Sequence, residues 1–449
     1  MQELKKLLRL AGPILVAQLS FTAMSLVDTL VAGRYGSDDL AGVAIGGSFW
    51  LPALMFTQAV LYSVTPFVAQ ALGRGDDRAR GHYLRQGIWL GVIVGSLVWL
   101  IVFTLGDIGL AQIGSMPHIE QIAGDYLFWI ILSLPVAGAY QAIRSFVEGS
   151  GRTRPVMFVN LTGLILNIPL NYIFVFGEFG APEMGGAGCG LATGLVLLYM
   201  LIAMACYLRF GAIRAAASRK DWLPSLRTFL QLGRIGLPIG LTIVAEVSIF
   251  AVLALIIAPL GADVIAGHQV ALSMTSQTFM LPMSVSLALT VRVGYFHGAG
   301  DWQGMMRAIK AGYLLGIGGG LMTAILLYFG ANALTGFYSD NPRVHEVAVA
   351  ILFLPVLYQI PDAIQVCSAG ILRGLKITRT PMLAVLIAYW GIALPIGYTL
   401  GRTDWLIEPM GARGLWLGLV IGLTLAAVFL VTITWVSLRR VRRRLEALV

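Results

Sequence analysis

The sequence predicts an all-α integral membrane protein with twelve transmembrane helices, arranged as two six-helix lobes related by a parallel internal repeat. Three features predict this fold: long apolar blocks, basic residues placed mostly in one set of loops, and a repeat with a constant offset. Of the 449 residues, 58% are hydrophobic and 12% are charged, and the mean hydropathy is +0.82. A soluble domain carries about 25% charged residues, so this composition could not cover a water-exposed surface.

Apolar segments long enough to cross a bilayer recur along the whole chain. A helix of about 20 apolar residues spans the hydrocarbon core. The alternating strands of a membrane β-barrel are not found in the sequence, which favours helices. We expect the twelve spans at residues 10–33, 43–71, 86–106, 118–145, 155–177, 187–208, 232–259, 266–296, 311–330, 344–372, 381–400 and 411–438.

The net charge of +9 reflects basic loops on one side of the membrane. With twelve spans both termini share a side, and that side holds all but four of the 31 Lys and Arg residues. The exceptions are Arg34, Arg343, Arg402 and Arg413. Because basic loops stay in the cytoplasm, we expect both termini and the loop 209–231 to be cytoplasmic. This orientation explains the positive charge without a nucleic-acid partner.

The sequence lacks the motifs that are typical of several functional classes. The three cysteines (Cys189, Cys206 and Cys367) fall within or beside predicted helices and indicate packing residues rather than a disulfide framework. The five histidines show no metal-binding spacing, which argues against a membrane metalloenzyme. No phosphate-binding P-loop motif is present, which argues against ATP as the driving force. We therefore expect no enzyme activity and no cofactor.

The two halves of the sequence repeat each other. The offset is 225 residues in the first part of the repeat and 226 after one inserted residue. A constant offset over six spans indicates duplication, and an even number of spans in each half makes the repeats parallel. We expect an N-lobe at 1–208, a cytoplasmic linker at 209–231, a C-lobe at 232–438 and a basic cytoplasmic tail at 439–449. The matching segments are Arg9–Pro13 with Arg234–Pro238, Gly73–Asp76 with Gly298–Asp301, and Pro155 with Pro381.

Three acidic residues, Asp28, Glu246 and Asp362, lie well inside predicted spans. A carboxylate at mid-bilayer costs roughly 2.5–3.5 kcal/mol on insertion scales, so such residues usually serve a function. Asp28 and Glu246 are not equivalent positions of the repeat, which predicts a specialised acidic site in each lobe. Tyr358 lies one helical turn before Asp362 and shares its face. The alternative for each acid is a buried, protonated hydrogen-bond partner.

Uncharged polar residues also share helix faces inside the spans. Asn160, Asn167 and Asn171 are spaced along one face, and Thr193 lies in the following span. Such residues often only bond helices together, but from several helices they could also orient a ligand. A further polar stripe contains Gln269, Ser273, Ser276 and Gln277. For Arg144 and Glu148, four residues apart near a helix end, we expect an ion pair at the membrane interface.

A set of short motifs in fixed order gives the chain a family resemblance. Together they make the sequence similar to the multidrug and toxic compound extrusion (MATE) antiporters of the NorM-like branch. The N-lobe motifs are RLAGPILVAQL at 9–19, SLVDTLVAGRYG at 25–36, ALGRGD at 71–76, EGSGRTRP at 148–155, NIPLNYIFVFG at 167–177 and GAGCGLATG at 186–194. In the C-lobe the resemblance rests on Glu246, Gln269 and YQIPDAIQ at 358–365.

The resemblance implies roles for the acidic residues. In NorM-like members the C-lobe glutamate and aspartate bind the coupling cation, which corresponds to Glu246 and Asp362, with Tyr358 nearby. The N-lobe aspartate, here Asp28, is implicated in proton coupling or drug binding. Archaeal-type relatives have a second acid where this chain has Asn171, a departure that favours the C-lobe as the main coupling site.

The resemblance also implies where substrate binds. Ser48 and Gln269 match cavity positions near bound drug, and Asp340 matches an outer-loop acid close to it. Asn167 and Asn171, which share a helix face with each other, are the remaining candidates for substrate contacts.

The expected function is export of lipophilic organic cations, such as dyes and fluoroquinolones, in exchange for Na⁺ or H⁺ by alternating access. We expect a monomer in the bacterial inner membrane, in contact with lipid and with no nucleic-acid partner, that contributes to antibiotic resistance. A flippase for lipid-linked precursors is the closest alternative, but it would need a cationic cavity, whereas the charges within the spans are acidic. A channel is a further alternative, which a substrate-independent sodium leak would support.

Overall fold

The computed structural model describes residues 2–113, 116–210, 222–338, 341–405 and 408–446, and this part of the chain is helical, without β-strands. One segment, Ile387–Ala393, is a π-helix. The helices are α1 (Gln2–Tyr35), α2 (Ser37–Leu61), α3 (Val64–Gly73), α4 (Asp77–Ile113), α5 (Pro117–Ile131), α6 (Leu134–Gly149), α7 (Arg154–Phe176), α8 (Gly186–Phe210), α9 (Leu226–Ile257), α10 (Ala262–Ala299), α11 (Trp302–Tyr338), α12 (Pro342–Gly374), α13 (Arg379–Leu386), α14 (Leu394–Arg402) and α15 (Ala412–Glu446).

The helices agree with the twelve predicted spans. In the described residues, eleven helical segments are long and apolar enough to cross a membrane. The pair α5 and α6, bent by 42°, supplies the twelfth if it counts as one span. The predicted span 43–71 consists of α2 and α3, and the predicted span 381–400 consists of α13, the π-helix and α14.

The chain divides into two compact units. We name them the N-terminal unit, Gly12–Gly240, and the C-terminal unit, Met1–Ala11 together with Leu241–Val449. The beginning of α1 therefore groups with the C-terminal unit, and the beginning of α9 groups with the N-terminal unit. Part of the predicted linker, 211–221, lies outside the described residues, and the lobe boundaries of the sequence analysis stay a prediction.

Each unit has its own apolar core. The core of the N-terminal unit contains Trp50, Tyr140 and Phe146, and that of the C-terminal unit contains Tyr389 and Trp416. In a lipid environment burial of apolar surface does not drive helix association, so close packing and hydrogen bonds between helices carry the stability.

Close helix contacts occur at equivalent places in the two units. A methyl group on Gly149 would lie 2.9 Å from the carbonyl oxygen of Thr65, and one on Gly374 would lie 3.0 Å from that of Thr290. Both glycines and both threonines are 225 positions apart, the offset of the sequence repeat. The repeat therefore preserves the backbone contacts that require a residue without a side chain.

The turns after α3 and α10 are equivalent as well. Gly75 and Gly300 adopt φ angles of 71° and 70°, in the left-handed region that favours glycine. Asp76 and Asp301 follow them, and each side chain accepts a hydrogen bond from a backbone amide three residues later, at 2.9 and 2.7 Å. The repeated glycine-aspartate sequence thus predicts a helix stop followed by an N-cap, which is what both turns form.

Candidate functional site

The N-terminal unit contains a polar cluster around Asp28. This residue lies on α1 with 5% of its surface exposed. Its Oδ1 accepts hydrogen bonds from the side-chain amides of Asn171 at 2.8 Å and Asn167 at 3.2 Å, both on α7. Its Oδ2 accepts a hydrogen bond from the hydroxyl of Thr193, on α8, at 2.7 Å. The structure therefore joins four residues that the sequence analysis singled out separately.

The hydrogen-bond donors around Asp28 are neutral. Two amides and a hydroxyl stabilise a carboxylate but leave its negative charge in place, so the side chain can still take up a proton or attract a cation. The amide oxygens of Asn167 and Asn171 are buried and lack a hydrogen-bond partner among the described residues. Buried acceptors of this kind usually find a donor or a cation, so the cluster has unused capacity for a positively charged ligand.

The third asparagine of the predicted stripe has a different environment. Asn160 donates to the hydroxyl of Tyr140 at 2.7 Å and to the carbonyl of Val156 at 2.8 Å. The bond to Tyr140 joins α7 to α6, the bond to Val156 stays within α7, and both give Asn160 a structural role in the core. Of the three asparagines on α7, Asn167 and Asn171 are the ones that donate hydrogen bonds to Asp28.

The cluster around Asp28 has no polar counterpart in the C-terminal unit. The equivalent positions of the repeat are buried and apolar, which shows that the whole cluster, and not one residue of it, differs between the halves. These positions are Leu253, Ala393, Gly397 and Leu419.

The C-terminal unit contains its own acidic site, formed by Glu246 on α9 and Asp362 on α12. The two carboxylates interact electrostatically and, when both are ionised, repel each other. Glu246 is half-buried and accepts a hydrogen bond from the side-chain amide of Gln365, also on α12, at 3.1 Å. Asp362 is 7% exposed. Two carboxylates at this depth favour a bound cation or a shared proton, because either would relieve their repulsion.

Two tyrosines complete the surroundings of the acidic pair. Tyr358, one turn before Asp362 on α12, is buried and interacts electrostatically with that carboxylate. Tyr389, in the π-helix, donates to the side-chain oxygen of Gln365 at 3.2 Å. Glu246, Asp362 and Tyr358 thus belong to one electrostatically linked group, and their role in cation coupling stays a prediction.

Gln365 and Tyr389 are site residues that the sequence analysis missed. Gln365 was visible as the last residue of the segment YQIPDAIQ, and a polar side chain one turn from Asp362 was the available signal. Tyr389 gave no such signal, because nothing in the sequence marks the π-helix that carries it.

The remaining predicted substrate residues lie at surfaces of their units or outside the described residues. Ser48 is exposed and donates to the backbone carbonyl of Ile45 at 2.6 Å. Gln269 is exposed on α10. Both leave polar groups accessible to a ligand. Asp340 lies outside the described residues.

The ion pair predicted between Arg144 and Glu148 is present and buried within the protein. Arg144 and Glu148, on α6, have side chains 2% and 1% exposed and are 2.8 Å apart. Arg144 also donates to the side-chain oxygen of Gln18, on α1, at 2.7 Å. The predicted ion pair is therefore confirmed, and its location at the membrane interface stays a prediction.

The described residues offer few side-chain ligands for a metal ion at any one place. Among the described residues no group of three or more His, Cys, Asp and Glu side chains could hold a metal ion. A monovalent cation at Glu246 and Asp362 would therefore need backbone, hydroxyl or amide oxygens as further ligands.

Comparison with known sequences identifies the family. A protein-family model described as MatE matches residues 13–173 and 238–399, well over half of the chain. The two matches begin 225 positions apart and end 226 positions apart, the offsets of the internal repeat. The chain belongs to the MATE family.

A curated MATE relative covers nearly the whole chain. "Multidrug resistance protein PmpM" of Pseudomonas aeruginosa is 42% identical over 449 residues, which include 99% of this chain and 94% of the relative. This similarity confirms the family predicted from the motifs.

Solved transporter structures share the fold. The eukaryotic MATE transporter AtDTX14 has a TM-score of 0.88 at 23% identity, with 99% of both chains covered. A transporter of the MOP superfamily from Pyrococcus furiosus has a TM-score of 0.85 at 18% identity, with 99% of this chain and 96% of the other covered. The chain is therefore an all-α, multi-pass membrane protein of the two-lobe MATE fold, and its described residues contain eleven membrane-length segments, or twelve if the bent pair counts as one, in agreement with the predicted fold.

Proposed function

We propose that this MATE protein is an antiporter that exports lipophilic organic cations, including dyes and fluoroquinolones, in exchange for Na⁺ or H⁺. The observation that carries the proposal is the pair of Glu246 and Asp362, two carboxylates that interact electrostatically and lie within membrane-crossing helices. Carboxylates inside a membrane are costly and usually mark an ion or substrate pathway. The name of the multidrug resistance relative supports the substrate class.

In this proposal the acidic pair binds the coupling ion. Glu246 and Asp362 take up Na⁺ or a proton, and Tyr358 supplies a hydroxyl beside Asp362. A negative site neutralised by an inorganic cation attracts an organic cation less strongly, so occupation by one lowers the affinity for the other. This competition couples the two fluxes, provided that each ligand binds the two states of the transporter with different affinities.

Asp28 is proposed to contribute both to ion coupling and to substrate binding. Its charge, held by three neutral donors, can attract a cationic substrate or take up a proton. Asn167 and Asn171 position the carboxylate and offer free amide oxygens. Ser48, Gln269 and Asp340 are proposed as further substrate contacts.

Transport would proceed by alternating access, with the binding residues exposed first to one side of the membrane and then to the other. The Lys and Arg distribution supports a bacterial inner-membrane protein with both termini in the cytoplasm. In this setting the ion gradient across the inner membrane drives export, and no cofactor, nucleic acid or second subunit is required.

The test is ethidium efflux from proteoliposomes of the purified protein, first under an imposed Na⁺ gradient and then under a proton gradient. Efflux driven by either gradient is the expected result and names the coupling ion. Absence of efflux under both gradients would contradict the proposal and favour a lipid flippase. A sodium leak without any substrate would instead indicate a channel.

A further inference from the structure

A chain of hydrogen bonds leads from Glu246 to the π-helix of the C-terminal unit. The hydroxyl of Tyr389 donates to the side-chain oxygen of Gln365 at 3.2 Å. The side-chain nitrogen of Gln365 in turn donates to Oε1 of Glu246 at 3.1 Å. The three residues come from the π-helix, α12 and α9, so the chain joins three separate parts of the unit.

The π-helix is attached to α9 beside the same glutamate. The indole of Trp390 donates to the backbone carbonyl of Ala245, the residue before Glu246, at 3.1 Å. Within this segment the backbone pattern is wider than in an α-helix, because the amide of Leu394 bonds to the carbonyl of Tyr389, five residues earlier. Such π segments are rare and often mark functional sites.

The equivalent helix of the N-terminal unit lacks this arrangement. Helix α7 is α-helical from Arg154 to Phe176 without a π segment. The positions equivalent to Tyr389 and Trp390 are Gly163 and Leu164, which cannot form these side-chain bonds. The π-helix therefore occurs in the repeat that contains the Glu246 site, together with the residues that bond it to that site.

The direction of the hydrogen bonds depends on the charge of Glu246. An ionised glutamate only accepts, whereas a protonated one also donates. If Oε1 of Glu246 carried a proton, it would donate that proton in a hydrogen bond and would require the side-chain oxygen of Gln365 as acceptor. The side-chain amide of Gln365 would then have to rotate by about 180°, so that its oxygen and nitrogen exchange places. The amide nitrogen would then face Tyr389, whose hydroxyl can accept as well as donate. Glu246, Gln365 and Tyr389 can therefore form the hydrogen bonds between them in either direction.

We propose that Gln365 and Tyr389 are positioning residues that transmit the charge of Glu246 to the π-helix by reversal of the Gln365 amide. In the charged state the amide donates to Glu246 and holds Tyr389 as a donor. In the protonated state the amide reverses and Tyr389 becomes an acceptor. The inference deepens the proposed antiport function and rests on it for the transport readout.

Other titratable groups of this unit also affect the charge of Glu246 or lie on the elements around it. Asp362 and Arg373, both on α12, interact with it electrostatically. Tyr389 interacts with both carboxylates from the π-helix. On α10 the buried His268 accepts a hydrogen bond from an indole of α15 at 3.1 Å. Reversal of the amide is thus a response to the combined charge of the two carboxylates and the guanidinium.

The first experiment measures the charge-linked change directly. Infrared difference spectra of the purified protein between high and low pH are expected to show a band of a glutamine side-chain amide. We expect Gln365→Met to abolish this band. Gln359→Met is the matched control, because Gln359 is buried on α12, bonds to Thr323 and Thr278, and is expected to leave the band unchanged. A band that persists in Gln365→Met would overturn the proposal.

The second experiment measures transport. Tyr389→Phe removes the hydroxyl and keeps the ring, and the expected result is an about tenfold change in the ion concentration that gives half-maximal ethidium efflux, with ethidium affinity retained. Tyr313→Phe is the control, since Tyr313 bonds to Ser368 on α12. An unchanged ion dependence in Tyr389→Phe would contradict the proposal. If the wild type transports nothing, the proposed function fails, and the infrared experiment still decides the amide reversal.

Discussion

Asn171 donates a 2.8 Å hydrogen bond to the carboxylate of Asp28, and the two residues are 143 positions apart. Asn167, one turn earlier on the same face of α7, donates to the same oxygen. Thr193 covers the other oxygen from α8. Three helices thus position one charged group without neutralising it, which is what a site for an exchangeable cation requires.

The first prediction concerns the hydroxyl of Thr193. Thr193→Val keeps the shape and removes the donor to Asp28, so it should lower the free energy of unfolding by about 1.5–3 kcal/mol, the range for hydrogen bonds to charged groups. Thermal unfolding in detergent measures this loss. The control is Thr424→Val, which removes an exposed hydroxyl bonded to its own helix and should be nearly neutral. Equal stability of the two variants would show that the Thr193 bond contributes little.

The second prediction concerns the charge of the acidic pair. Glu246→Gln and Asp362→Asn keep size and polarity but cannot hold a cation or exchange a proton. Each should reduce the rate of gradient-driven ethidium efflux at least about tenfold, which corresponds to ~1.4 kcal/mol of activation free energy. Asp263→Asn, at a more exposed carboxylate that accepts a hydrogen bond from Asn341, is the control. Wild-type efflux in either variant of the pair would show that the coupling site lies elsewhere.

The third prediction concerns the buried ion pair of α6. Arg144→Met leaves Glu148 without its cation in the core and should cost about 3–5 kcal/mol of stability. Replacing both partners, with Arg144→Met and Glu148→Leu, should restore much of this loss because no buried charge remains.

The matched comparison for this pair is an exposed one at the end of α15. Arg442 and Glu446 are 2.7 Å apart with side chains 62% and 60% exposed. Glu446→Gln should change stability by only about 0.5 kcal/mol or less, as for most surface pairs. A double variant at α6 as unstable as the single one would mean that packing, and not charge, determines the effect.

The fourth prediction tests the structural equivalence of the repeats. A methyl group on Gly188 would lie 2.6 Å from the carbonyl of Phe174, and one on Gly414 would lie 2.5 Å from that of Leu400. Gly188→Ala and Gly414→Ala should each destabilise the protein by about 1–3 kcal/mol, because a backbone must move. Gly318→Ala meets nothing within 4 Å and should be neutral or stabilising, since alanine favours helices. Thermal unfolding of the three variants compares them, and a stable Gly188→Ala protein would argue against the close contact.

Much of the fold follows from the sequence because its signals are strong and repeated. Apolar runs of bilayer length set the spans, and the offset of 225 or 226 relates contacts such as Gly149 with Thr65 to their counterparts. The cluster around Asp28 was partly predictable, since Asn167 and Asn171 are four residues apart and must share a helix face. Which helix this face meets depends on packing, and the sequence does not specify it.

The C-terminal site was less predictable for a physical reason. Helical periodicity assumes 3.6 residues per turn, and the π-helix at Ile387–Ala393 departs from it, so the direction of Tyr389 could not be derived. Gln365 bonds to Glu246 across 119 positions, a distance at which local patterns carry no information. Likewise, the burial of Arg144 depends on Gln18 of a distant helix.

The most direct test of the account is the reciprocal flux. If the protein is an antiporter, an ethidium gradient imposed on proteoliposomes without any ion gradient should drive Na⁺ or H⁺ in the opposite direction, because coupling between two ligands is mutual. We expect net ion movement opposite to the ethidium flux, which builds up an ion gradient, is recorded with an ion-sensitive dye inside the vesicles and is abolished by Glu246→Gln. Ethidium movement without ion movement would contradict the exchange mechanism.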